Sequence, residues 1–220
     1  MAILGIETST AVCSAGMIEE NGGVKELALI ESHIHSEKLL NLIEEVCSGS
    51  LKLLQGVAVS IGPGSFTGLR IGLSTAKGLC YGLGIPLLTV PTFKAIARCA
   101  ARKKECDSLL ICLDAKQGEY YAASWRKEAQ GREQESAVQI LTMPDVLRLI
   151  PGSALLVTDC PDAMQKIDAV LQIEDVHQFC SGAIVAELGR EMLENGQQAD
   201  VASCEPLYLK DFIVRTRLKT

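Results

Sequence analysis

The chain has 220 residues, 48% of them hydrophobic, with a formal net charge of −6 and a pI near 5.2. That length holds one large domain or two small ones, the acidity argues against an extended nucleic-acid surface on the chain itself, and no apolar run approaches the ~20 residues of a membrane helix. Nine cysteines, an odd number scattered among apolar neighbours without a CxxC pair, suit reduced thiols in a cytosolic protein rather than a disulfide framework or zinc site.

Ala2 to Ile6 reads as a strand, and the start has no basic flank that would make it a signal peptide. The polar turn Glu7-Thr8-Ser9-Thr10 leads back into a second strand, Val12 to Ile18, and Asn21-Gly22-Gly23 turns the chain into a third, Val24 to Glu31. Ser36 is expected to cap a helix with Glu37 in its first turn, and Leu39, Leu40, Ile43, Val46 and Cys47 form its apolar face. Val57 to Ile61 is a buried strand ended by Gly62-Pro63-Gly64, after which Ser65 or Thr67 caps a long helix to Gly82. The polar residues of that helix, Arg70, Ser74, Lys77 and Tyr81, make one narrow stripe. The rest is apolar or small, which predicts burial on two sides, with another helix approaching closely across Gly68, Gly72 and Thr75. A strand from Pro86 to Val90 and a helix from Thr92 to about Arg102 complete the first half.

Arg102-Lys103-Lys104-Glu105 is a charged break, and it divides the chain into residues 1–104 and 105–220. The pattern then partly restarts. Leu109 to Leu113 is an apolar strand ending in Asp114, Ala115-Lys116-Gln117-Gly118 turns, and Glu119 to Trp125 returns. A strand near Ala137 to Leu141, a helix from Pro144, a strand from Ala154 to Thr158 and a helix from Ser181 to about Leu193 follow. Two β-β-β-α-β-α halves with mixed sheets and a cleft between them are the plan of the two-lobed actin-like ATPase and sugar-kinase (ASKHA) fold, an α/β class.

The chemistry is thin. Glu7, Thr8, Ser9 and Thr10 are weak candidates for a nucleotide cradle, against the plainer reading of an ordinary polar hairpin, and a single carboxylate is slight support for magnesium. The glycine turn before the long helix lacks the Lys-Ser/Thr pair of a Walker loop. His33 and His35 are expected to be structural or solvent-facing, since no third metal ligand accompanies them, and His177 stands alone. No nucleophile elbow and no charged setting for a cysteine is present, so no complete catalytic set emerges.

Ile61-Gly62-Pro63-Gly64-Ser65-Phe66-Thr67-Gly68-Leu69-Arg70-Ile71-Gly72, continuing through Ala76-Lys77-Gly78-Leu79 to Ile85-Pro86-Leu87, resembles the signature of the TsaB family, also called YeaZ. Glu7 to Thr10, His35 to Leu40, Asp114-Ala115-Lys116 with Glu119-Tyr120, and Pro206 to Lys210 add weaker matches in the family's order. Against its pattern, Glu7 stands where aspartate is more usual, Lys116 and Lys210 replace arginines, and Leu156 to Cys160 lacks the glycines common after that strand. These departures tell against nucleotide held by this chain alone.

The resemblance implies the two-lobed fold and a non-catalytic partner subunit of a TsaD-like transferase. That transferase places threonylcarbamoyl on N6 of the adenosine beside the tRNA anticodon. A TsaE-like ATPase joins the pair, ATP/ADP and a metal sit on the partners, no cofactor is assigned to this chain, and tRNA is met only through the complex, in the cytoplasm and without a membrane. In isolation a homodimer is expected. The interface implied is the two helices, through Ser36, Leu39, Leu40, Ile43, Phe66, Gly68, Arg70, Gly72, Leu73 and Lys77. The rivals are an independent ATPase or kinase of the same fold, and a peptidase.

Overall fold

The computed structural model describes residues 1–31, 34–48, 50–128, 133–149, 155–164 and 172–210. Strands β1 (Ile3–Glu7), β2 (Val12–Ile18), β3 (Val24–Ile30), β4 (Gly56–Ser60) and β5 (Leu87–Val90) form one sheet in the order β3-β2-β1-β4-β5. The hairpins make β1, β2 and β3 antiparallel, while β4 and β5 arrive through helices and run parallel to β1. The second sheet repeats this order with β6 (Ser108–Asp114), β7 (Glu119–Lys127), β10 (Leu155–Thr158) and β11 (Ile173–Asp175), and β8 (Glu133–Glu135) and β9 (Gln139–Thr142) share the place of a third strand beside β7.

Successive side chains of a strand face opposite ways, and both sheets are apolar on both faces. Leu4, Ile6, Val57 and Val59 look outward to α1 (His35–Val46) and α2 (Phe66–Leu83). Ile3, Ala58, Leu88 and Val90 look inward, sharing one core with Leu109, Ile111 and Val157 of the second sheet through α3 (Thr92–Lys104) and α6 (Gly182–Glu194). The short helices α4 (Met143–Leu149) and α5 (Pro161–Met164) close the far side over Leu110, Cys112 and Leu156.

Three expectations change. The sequence division at 104 groups α6 with the second half, yet α6 lies on the first sheet, against β1, β2 and β4, while α3 of the first half packs on β6. Gly5 and Gly16 make room for it: a Cβ on Gly5 would stand 2.0 Å from the Gly182 carbonyl oxygen, and one on Gly16 2.1 Å from the Ala183 nitrogen. Ion pairs join the two inner helices, Arg102 to Glu187 at 2.7 Å and Arg98 to Glu191 at 2.9 Å. Ser36 does not cap α1, which starts one residue earlier after Ile34 and has no side-chain cap. Finally, Gly68 and Gly72 do not receive a second helix. Their missing side chains admit the β1–β2 turn of the same chain, with Thr8 backbone and side-chain oxygens 2.1 and 2.2 Å from where the two Cβ atoms would stand.

Candidate functional site: the interlobe cleft and the outer helical face

Both polar turns singled out in the sequence lie where the two sheets meet. In the first, Glu7 and Thr8 are fully buried, and it is Ser9 and Thr10 that line the cleft. The Thr8 hydroxyl donates to the Gly68 carbonyl at 2.8 Å. The Ser9 amide and hydroxyl donate to Glu7 Oε1 at 2.6 and 2.5 Å, and the Thr10 hydroxyl is directed at Cys180 Sγ. Burial pushes the Glu7 carboxyl up, and this outweighs the two Ser9 hydrogen bonds that favour its charged form. Oε2 and the neighbouring Ser60 hydroxyl are both buried without another partner. A hydrogen bond from the Ser60 hydroxyl favours the charged form of Glu7, as those from Ser9 do, against the larger effect of burial.

Beyond this turn lies a cleft of about 980 Å³, reached by Thr10 and the start of α2 on one side and by Asp114, Lys116, Asp159 and His177 on the other. Ser65 caps α2 by accepting from the Gly68 amide, as anticipated, and its own amide is taken by the Ser9 carbonyl at 2.6 Å. Asp114 and Asp159 end the parallel neighbours β6 and β10, the crevice position at which open α/β sheets receive ligands. The Asp114 amide donates to Asp159 at 2.9 Å. Burial pushes Asp159 up, with the Asp114 charge adding to it. Burial acts on Asp114 in the same direction, but the Lys116 ammonium at 2.7 Å and the Lys116 amide outweigh it and hold Asp114 below the usual carboxylate range. His177 is paired with Asp175 at 2.6 Å.

Asp159 carries the same sequence signal as Glu7 and Asp114, an acid closing an apolar strand. His33 lies outside the described residues, and His35 is buried with Nε2 3.1 Å from the Val12 carbonyl. Among the described residues no group of three or more His, Cys, Asp or Glu side chains is gathered to hold a metal, and no helix is long and apolar enough to cross a membrane. The nine cysteines are free, and burial pushes the thiols of Cys13, Cys47, Cys80 and Cys160 to about 11.

The residues nominated for an interface separate into two groups. Leu39, Ile43, Gly68, Gly72 and Leu73 are buried within the chain. Ser36, Leu40, Phe66, Arg70 and Lys77 reach the surface, but Arg70 Nε donates to the Tyr208 hydroxyl at 2.8 Å and Lys77 Nζ to the Ala202 carbonyl at 3.2 Å. Ser74, Gly78, Tyr81 and Gly82 are the exposed residues of the C-terminal half of α2, and Leu40 is exposed on α1, which packs against α2. Tyr81 is 87% and Leu40 60% exposed, large values for side chains of this kind.

The comparisons with known proteins decide the family. Residues 15–155 match the model of the family described as TsaD: tRNA N6-adenosine threonylcarbamoyltransferase. A relative from Buchnera aphidicola subsp. Schizaphis graminum, named tRNA threonylcarbamoyladenosine biosynthesis protein TsaB, is 30% identical over 71% of this chain and 78% of its own. The chain belongs to the TsaB family. The protein of the same name from Escherichia coli K12 is 26% identical and aligns over 99% of this chain and 98% of its own length. The solved structure of YeaZ from Pseudomonas aeruginosa superposes with a TM-score of 0.82 at 20% identity, covering 94% of this chain and 100% of that one, so the fold is shared throughout.

Proposed function

We propose that this chain is a non-catalytic subunit in the pathway that makes threonylcarbamoyladenosine in tRNA, and that it works by pairing with a TsaD-like transferase. Support comes from the relatives named for that pathway and from one structural observation. The outer face of α2 is bare and built of small residues around Tyr81, whereas the polar groups at the cleft are largely engaged within the chain. A helix with glycine and serine at outward positions lets a second backbone approach closely, and a projecting tyrosine, with an exposed leucine on the adjoining helix, supplies the apolar anchor of an interface. In this reading the partner sits on Leu40, Ser74, Gly78, Tyr81 and Gly82, and the same face closes a homodimer when the partner is absent. A TsaE-like ATPase joins the pair, nucleotide and metal belong to the partners, tRNA is reached only through the assembly, and the complex works in the cytoplasm.

The test is size-exclusion light scattering of the isolated chain, and of the chain mixed with the TsaD-like subunit of the same organism. A one-to-one complex that replaces a homodimer is expected. Gly78→Leu should abolish both associations and leave a folded monomer, because a Cβ there meets nothing within 4 Å of the chain's own atoms. A Gly78→Leu protein that pairs normally overturns this placement of the interface. A lone monomer that ignores TsaD and hydrolyses ATP moves the function to an independent ATPase.

A further inference from the structure

After α6 the chain reverses at Gly196 and returns to the first lobe, where Ala199 forms an antiparallel bridge with Leu87. It passes the Lys77 ammonium, which donates to the Ala202 carbonyl, and reaches the mouth of the cleft. There the Leu207 amide donates to the Ile61 carbonyl at 2.8 Å. The Tyr208 ring lies 5.1 Å from the Phe66 ring, and its hydroxyl accepts from Arg70, whose guanidinium also covers Phe66 at 3.9 Å. Two residues later the chain has crossed to the other lobe. Lys210 Nζ donates to the Ala115 and Lys116 carbonyls, each at 3.2 Å, and pairs with Glu119 at 2.5 Å.

What Lys210 grips is an unusual turn. Lys116, Gln117 and Gly118 are three successive residues in the left-handed region, with φ of 66°, 63° and 78°. Only the last is a glycine, and a side-chain-bearing residue adopts that conformation when its surroundings impose it. Apart from Lys210, the turn is braced by the Asp114 carboxylate, which accepts from the amide and the ammonium of Lys116, and by the Glu119 amide, which donates to the Lys116 carbonyl.

We propose that Ala199–Lys210 is a latch that couples the two lobes, anchored on α2 by Tyr208 and holding the Lys116–Gly118 turn closed beside Asp114 and Asp159 through Lys210. The two ends are unequal. The first-lobe anchor combines a β-bridge, a backbone hydrogen bond and a ring stack, while the second-lobe anchor is one long, flexible side chain on a strained turn. The second is the end that lets go, and a group that takes Arg70 away from Tyr208 loosens a turn on the far side of the cleft. This holds for the isolated chain and does not depend on the identity of a partner.

Amide hydrogen exchange of the full chain reads the latch, with Ala115, Lys116 and Glu119 as reporters and the strands of the first sheet as internal control. Lys210→Ala should speed exchange of the reporters roughly tenfold, as loss of charged hydrogen bonds to a surface turn does, and Lys210→Arg should restore most of the protection. Tyr208→Leu, which touches none of the reporters, should speed the same amides. Unchanged exchange in Lys210→Ala overturns the proposal. So does a Lys210→Ala effect that Tyr208→Leu fails to reproduce, because Lys210 is then only a local cap.

Discussion

Glu7 ends β1 and Asp114 ends β6, matching places in two sheets of the same strand order, and each is followed by a tight polar turn. The acid of the first turn points inward. The turn is covered by α2, its hydroxyls are satisfied within the chain, and burial pushes its acid up. The second points at the cleft, keeps a charged acid, and balances it with Lys116. One topology therefore yields a packing device in one lobe and an ionic surface in the other. What separates them is the pair of glycines in α2 that lets Thr8 sink beneath the helix.

The comparison breaks most completely at Gly72. Leucine there would force its Cβ to 2.2 Å from Thr8 Oγ1, so Gly72→Leu should lose roughly 3–5 kcal/mol in urea denaturation or fail to fold. Wild-type stability in that variant would show that the turn is not held by α2. A smaller effect is expected from Glu7→Gln, which keeps the acceptor for Ser9 and gives the buried Ser60 hydroxyl a donor at any pH. Burial makes the folded chain hold the Glu7 proton to higher pH than the unfolded chain does, so this residue's contribution to stability is present at acid pH and falls as pH rises above the ordinary carboxylate value. Thermal melts of the two proteins should coincide at acid pH and separate in favour of Glu7→Gln toward neutrality. A constant gap across pH would mean that Glu7 is charged in the fold. The smallest effect is Lys116→Ala, where the side chain removed is itself 81% exposed and the pair contributes at most about 1 kcal/mol. Its clearer readout is an NMR titration of Asp114, which should move up once the ammonium is gone.

Much of the lobed plan was legible because its signals are local. Short apolar runs closed by Glu7, Gly62 and Asp114 give β1, β4 and β6, and Ser181 does cap α6, by accepting from the Ile184 amide. The family signature was legible for the same reason, being a contiguous string through α2. What escaped depends on distant pairs. Nothing near Gly68 says that its empty side belongs to Thr8 rather than to another helix, and nothing near Arg70 or Lys77 announces Tyr208 or the Ala202 carbonyl. Leu40 and Leu39 looked alike in a one-dimensional apolar count, yet one is core and the other is surface. Asp159 required only that a rule applied twice be applied a third time.

The placement of α6 has a consequence for how the chain is made. The inner face of the first sheet, with Gly5 and Gly16 waiting for Gly182 and Ala183, stays bare until about 165 residues beyond Gly16 have left the ribosome. The first half is thus a lobe to the eye but not an independent folding unit. Contacts of such long sequence separation are slow to form, and exposed apolar sheet invites aggregation while it waits. A nascent chain of this kind depends on α6, more than on its first hundred residues, to leave the unfolded ensemble.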